Sequence, residues 1–456
     1  GGGIGGLVLA RALSQHAHLR ISVYEANAEF AGMGTGIGIF RRTWKILHEL
    51  GLGEAMIALC GPANNERGPC ALISKSDQPE GKTFVEIHAP EGGMKAAHRA
   101  EFHDTLIHSL KECENISLRT SKRLVRYQER DGSVNLHFSD GTLSQCDVLV
   151  GADGLRSAVR ATMVDILSKS TSHADLAFYR GAVWSGFLVY RAVVPRERVE
   201  KENVNHRVFH APLLVGGQEV TAFPISRGTA INVSVYVFDP VGAAARAPYP
   251  GRTIEEVTVS DVIGSFGSDW EPEVIQLLSC LQGLEIRRWA VSEVEELPTY
   301  SHGRVMLLGD AAHGMTPNLG MGAGQAIEDA YVLSQLLSHP QAALHVETAL
   351  VTYSRIRRPF VSNIVRLARR NGLYYVHRGE NGLPLKFLPE TSFDCQTQDD
   401  KVDTDGRVHT LNEESECMTI TELGRRISHS FAWTSESAED QPRRALEIFE
   451  QTIAAF

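Results

Sequence analysis

From Leu7 to Leu13 almost every position is apolar or small, the pattern of a helix buried all round rather than one with a wet face. A two-residue alternation follows in Leu19-Arg20-Ile21-Ser22-Val23-Tyr24-Glu25, which predicts a strand. Two more apolar runs, ending at Val150 and Leu308, lead into the acidic turns Gly151-Ala152-Asp153-Gly154 and Gly309-Asp310. They predict buried strands of a parallel sheet, and a helix is expected from about Gln325 to Leu337. Between Thr171 and about Ile286 the texture changes. Trp184–Pro195, Val208–Leu214, Glu219–Pro224 and Ile231–Phe238 read as strands with few helices between them. That predicts an antiparallel layer, with the stretch around Ala71–His88 expected to pair with it. Beyond Gly372 the chain is more polar, and a mobile excursion is expected near 394–416. His429–Trp433 and a helix toward Phe456 read as packing.

Composition narrows the picture. The 456 residues carry a net charge of -10, which argues against a broad nucleic-acid surface. No apolar run is long enough to span a bilayer, and no signal peptide is seen, so a cytoplasmic protein is expected. The seven cysteines include no C-x-x-C pair, and no His/Cys/Asp cluster has ligand spacing. Neither a disulfide framework nor a metal site is expected. The chain opens on Gly1-Gly2-Gly3 with no strand before it, and a phosphate-binding turn normally follows one, so upstream residues are expected.

Gly1, Gly3 and Gly6 fit G-x-G-x-x-G: a tight turn, a close backbone approach to pyrophosphate, and close helix packing. Glu25, at the end of the next strand, suits the hydroxyls of an adenosine ribose. This region fits FAD and NAD equally. The glycine fingerprint, the Asp153-Gly154 motif and the Gly309-Asp310 motif, in that order, resemble the single-component FAD-dependent aromatic hydroxylases of the salicylate hydroxylase-like, fungal type. The likeness runs from Gly1 to about Arg370.

The resemblance implies an α/β fold. An FAD-binding Rossmann-like domain (1–70, 98–172, 288–371) would interleave with a β-sheet substrate domain (71–97, 173–287), followed by a helical C-terminal segment (372–456). It implies FAD as cofactor, NADH or NADPH as co-substrate, and O2. A small phenolic substrate would be hydroxylated through a flavin hydroperoxide, with loss of CO2 if it is a salicylate. A monomer or homodimer is expected, with no nucleic acid or membrane span. Asp310 falls where a carboxylate binds the ribityl chain. Gly320, Gly322 and Gly324 would let backbone N–H groups approach the flavin, and Pro317 would stiffen that loop. Arg99, Asp153 and Gly154 fall at cofactor contacts, although an internal ion pair is the other reading of Arg99 and Asp153.

Arg191 falls where an arginine holds the substrate's phenolate or carboxylate, and it is the catalytic candidate; a solvent-facing strand arginine is the other reading. Tyr190 and Phe223 are further substrate candidates, Phe223 standing where several relatives carry Tyr. Three departures stand out: Arg41-Arg42 replaces a small or polar pair, a change expected to bear on cofactor mobility; Met321 replaces a common Gln; and Phe223 lacks the phenol oxygen. A related epoxidase or dearomatising flavoenzyme, and an inactive remnant, are the alternative functions.

Overall fold

The computed structural model describes residues 1–455 except 33–35, 61–70, 89–93, 171–173, 211–212, 217–218, 265, 267–269 and 390–414. Helix Ile4–Leu13 has no wet face: Leu7 and Val8 are fully buried. It lies against helices Arg99–Leu110 and Gly322–Ser338, which explains why Arg11 is its only charged residue. Beside it stand two pieces of parallel sheet. Ile21–Tyr24 pairs with Ile116–Arg119, and Leu149–Gly151 pairs with Val305–Leu307. Three of these strands run at their carboxyl ends into an acid, Glu25, Asp153 and Asp310, and all three acids line one cleft. That is the end of a parallel sheet where α/β proteins bind ligands.

The second layer is an eight-stranded sheet in the order 254–257, 286–293, 183–195, 230–238, 220–225, 213–216, 71–75, 82–87. All its pairings are antiparallel except the parallel contact between Leu213–Gly216 and Ala71–Lys75. One face is sealed by helices Arg196–Glu202, Val259–Ile263 and Pro272–Ser279, which bury Ala192, Val194, Ile231, Val233 and Val235. The other face looks into the cleft.

Several elements differ from expectation. The strand expected over Val208–Leu214 is instead a 3-10 turn, Arg207–Phe209, followed by the strand Leu213–Gly216. His206 fixes the turn: Nδ1 accepts from the Val208 N–H at 3.1 Å, and the ring's Nε2 lies 2.9 Å from the Glu273 carbonyl. Ala71–His88 forms two strands, Ala71–Lys75 and Lys82–Ile87. The helix expected from Gln325 begins at Gly322, which brings Gly322 and Gly324 into its first turn. Most of the polar excursion lies outside the described residues. The chain returns at Cys417–Met418, continues through helix Ile420–His429, and ends with helix Asp440–Ile453 packed on the long helix Val346–Tyr375.

Candidate active site

The cleft measures about 2360 Å3 and runs from the glycine turn to the open face of the large sheet. The space between strands Ile21–Tyr24 and Leu149–Gly151 is part of that volume, so not all of it is ligand space. Even so, it is large enough for a dinucleotide and a small ring together, since drug-sized ligands occupy roughly 300–1,000 Å3.

At one end, Gly1 and Gly6 are packed so closely that a Cβ on Gly6 would come within 2.1 Å of the Gly1 carbonyl oxygen. Gly3 is the opposite case: a Cβ there would meet nothing within 4 Å. Gly3 is also the N-cap of helix Ile4–Leu13, which has no side-chain cap and no acid in its first turn. Its N–H groups are left for an anion, as pyrophosphate binding needs. Glu25 is held by N–H donors from Gly2 and Asn27, both at 2.9 Å.

At the other end, Asp310 begins the short helix after Val305–Leu307 and exposes its carboxylate to the cleft. Its side chain has no hydrogen bond among the described residues, which leaves it available to a polyol. Pro317 opens the turn Pro317–Leu319, and Gly320 closes it with a left-handed φ of 68°. Helix Gly322–Ser338 starts just beyond with no side-chain cap, so its first N–H groups, that of Gly322 among them, are a second set of free donors near the cleft, whereas Gly324 is buried and lies off the cleft lining. Arg99 starts helix Arg99–Leu110. Although much of its surface is exposed, that surface looks into the cleft. Burial therefore dominates and lowers its pKa, with the Asp310 charge opposing and the Arg191 charge reinforcing the shift. Cleft residues Gly3, Glu25, Arg99 and Asp310 offer what a dinucleotide needs: free N–H groups, an acid for a ribose, a cation and an acid for a polyol.

Asp153 is differently employed. Its Oδ1 accepts from Ser157 Oγ at 2.5 Å, and Oδ2 accepts from the N–H groups of Ala158 and Val159 at 2.8 and 3.2 Å. It caps helix Ala158–Ser170 and holds the turn in which Gly154, with a φ of +74°, presents backbone to the cleft. Neither an ion pair nor an unengaged carboxylate describes it.

The sheet face sorts the substrate candidates. Strand Val183–Pro195 points Arg191 into the cleft, and the next residue over points the other way. Tyr190 packs on the helix-covered side, with its hydroxyl against Arg288. The expectation that Tyr190 touches substrate is therefore corrected: it shares the parity of Ala192 and Val194. Strand register then identifies cleft residues the sequence reading missed. Arg191 lies opposite Ser234, which lies opposite Thr221; Val189 lies opposite Tyr236; and Phe223 lies opposite Asn232. Tyr236 donates its N–H to the Glu219 carbonyl at 2.8 Å, which puts Glu219 in the same row. Tyr236 hydrogen-bonds Arg191; burial and the Glu219 charge push the Tyr236 hydroxyl above the usual phenol range, with Arg191 opposing. Arg191 Nε remains without a partner. Phe223 faces the cleft and packs on the backbone of Gly36.

Behind the cleft lies a buried ionic network. Arg42 reaches Glu328 through Nε and Nη2 at 2.8 and 3.0 Å, donates to the Trp433 carbonyl at 2.9 Å, and stacks on Phe360 and Trp433. The expectation that the Arg41-Arg42 pair bears on cofactor mobility is corrected for Arg42, which anchors the C-terminal segment to the nucleotide side. Arg357 Nε donates to Asp329 Oδ1 at 2.7 Å, and His313 lies 2.5 Å from Oδ2. Burial pushes the Asp329 carboxyl up, but the His313 and Arg357 charges outweigh it and hold Asp329 well below the usual carboxylate range. Asp329 Oδ2 also accepts from the Gly309 N–H at 3.0 Å, so the network fixes the turn that presents Asp310.

The FAD binding domain family matches residues 1–176 and 279–368, more than half of the chain. The chain belongs to that family. An FAD-dependent monooxygenase of Strobilurus tenacellus is 30% identical over 99% of this chain and 97% of its own length. A salicylate hydroxylase of Pseudomonas putida is 30% identical over 82% of this chain and 85% of its own. A solved salicylate hydroxylase–substrate complex superposes with a TM-score of 0.76 at 24% identity, covering 98% of this chain and 96% of that one, which shows the fold. The protein is an FAD-dependent monooxygenase of the aromatic hydroxylase kind. Among its described residues no helix is long and apolar enough to cross a membrane, and no group of acids, histidines and cysteines is placed to hold a metal.

Proposed function

We propose that this flavoenzyme hydroxylates a small phenol-type ring bearing one acid group, a salicylate or a near relative, with NADH or NADPH and O2. The observation that carries the reading is Arg191, a guanidinium that lines the cleft on an otherwise hydrogen-bonded polar wall and whose buried Nε has no protein partner. A fixed guanidinium suits a carboxylate or phenolate oxygen. The relatives support it: besides the salicylate hydroxylase, a 6-methylsalicylate 1-monooxygenase of Aspergillus terreus is 30% identical over 81% of this chain.

Bound FAD supplies the redox chemistry, accepting a hydride from the nicotinamide and delivering one atom of O2 to the ring. The chain's residues do the rest. Gly3 and the free N–H groups of helix Ile4–Leu13 would hold the pyrophosphate, Glu25 the ribose and Asp310 the ribityl hydroxyls, while Arg99 and the backbone of Gly320 and Gly322 would hold the ring end. Asp153 acts indirectly, through the helix it caps. Arg191 holds the substrate anion and, set against a phenol, lowers its pKa and raises the phenolate fraction that attacks electrophilic oxygen. Tyr236 orients Arg191. The surrounding walls keep water out, so that reducing equivalents reach the ring rather than escape as hydrogen peroxide. The strand pairing of 71–87 with 183–293 supports an interleaved substrate domain, and the free thiols of Cys60, Cys113, Cys146 and Cys280 suit a reducing, cytoplasmic setting.

The test is turnover of salicylate in air by the FAD-loaded protein with each nicotinamide, followed by product mass. Catechol formed with one NAD(P)H per CO2 released is the expected result. Salicylate returned unchanged, with reducing equivalents lost only to peroxide, would remove salicylate as substrate.

A further inference from the structure

One buried acid of the cleft has no role in the proposed function. Glu219 is 1% exposed, yet it lines the cleft beside Tyr236. Its Oε2 accepts from Asn318 Nδ2 at 2.7 Å, and Oε1 accepts from Thr221 Oγ1 at 3.2 Å. Asn318 belongs to the Pro317–Leu319 turn, so Glu219 sits where the large sheet meets the flavin-side loop. By register it is two strands and two residues from Arg191 on the same face. That separates their backbones by roughly 10 Å across the sheet and 7 Å along it. A single substituted benzene ring, together with the two side chains, bridges such a gap.

Burying a carboxylate among neutral partners is costly unless something is gained by it. Here both donors are uncharged side chains, Asn318 and Thr221. Burial pushes the Glu219 carboxyl up to about 8, and the two hydrogen bonds only partly oppose it. Below that pH the group is a neutral acid able to share a proton with a ring substituent; above it, the group is an anion. The charged or titratable groups that share the cleft with it include Tyr236, Arg191, Arg99, Asp310 and Tyr375.

We propose that Glu219 selects the substrate: it hydrogen-bonds the hydroxyl, amine or acid oxygen next to the acid group held by Arg191, and it rejects rings that place a second acid group there. The proposal rests on the reading that a small aromatic acid binds this face. The enzyme would therefore accept monoanionic hydroxylated or aminated benzoates and discriminate against dicarboxylates.

The experiment titrates salicylate into the FAD-loaded full chain from pH 6 to 9.5, following the flavin absorbance. Salicylate keeps one negative charge throughout, so any change in affinity comes from the protein. Since binding favours protonated Glu219, affinity should be flat at low pH and about tenfold weaker at pH 9 than at pH 7. Glu219→Gln, which keeps the shape and an acceptor for Asn318, should bind with a flat profile. Wild type should also bind 4-hydroxyphthalate at least about tenfold less tightly than salicylate, and the variant should narrow that gap. A flat wild-type profile overturns the proposal without any variant. So do matching profiles and matching discrimination in the two proteins, which would leave the substrate reading intact. If no hydroxybenzoate or phenol perturbs the wild-type flavin at any pH, the substrate reading fails and takes this proposal with it.

Discussion

On strand Ala230–Phe238, Ile231, Val233 and Val235 point one way, and Asn232, Ser234 and Tyr236 the other. Both sets are buried, none more than 4% exposed. The first set is sealed beneath helices and is wholly apolar. The second is polar, and the neighbouring strands extend it with Arg191, Thr221 and Glu219. Burial alone favours the first arrangement, because a buried polar group stabilises nothing unless it is hydrogen-bonded. On the proposed function the polar face is the recognition surface: its groups are held by one another, and Arg191 lines the cleft among them. The contrast teaches that one strand can stabilise the fold with its odd positions and bind with its even ones.

Substitutions on the two faces should separate these jobs. The largest effect is expected from Ile231→Ala on the sealed face, which should cost about 2–5 kcal/mol of stability in denaturant unfolding. FAD content and salicylate affinity of the folded fraction should be unchanged; a selective loss of affinity would break the division. On the polar face Arg191→Met should reverse the pattern. Salicylate binding should weaken about 10- to 100-fold, the loss of a charge-assisted hydrogen bond worth about 1.5–3 kcal/mol, while the melting temperature stays close to wild type. Tyr236→Phe should raise KM about fivefold, near 1 kcal/mol, because it frees Arg191 without removing it. Smallest of all, Tyr190→Phe should change kcat/KM by less than about twofold, since its hydroxyl contacts Arg288 on the sealed side. A larger effect from Tyr190 than from Tyr236 would mean that the faces have been assigned the wrong way round.

Much of the nucleotide side was legible in the sequence because its signals are local. The glycine turn, the apolar helix after it, and the strands leading into Glu25, Asp153 and Asp310 each lie within a short window, and the fold brings their ends into one cleft. The role of Asp153 as a helix cap was equally local, since Ser157 and the following N–H groups lie within six residues of it. The substrate side was harder to read. Tyr190 was separable from Arg191 by parity, because Ala192 and Val194 mark the apolar side of that strand. Glu219 and Tyr236 were not separable in this way: their place on the same face as Arg191 depends on strand register, which the chain settles only by pairing residues far apart in sequence. Arg42 shows the same limit. It meets Glu328 and Trp433 across nearly the whole chain, and no short window contains that contact.

The most direct test of the account is the structure of the FAD-loaded protein with salicylate bound. The expected result is a ring against the Arg191, Ser234 and Tyr236 face, its carboxylate within hydrogen-bonding distance of Arg191. A ring held elsewhere in the cleft, with Arg191 untouched, would contradict it.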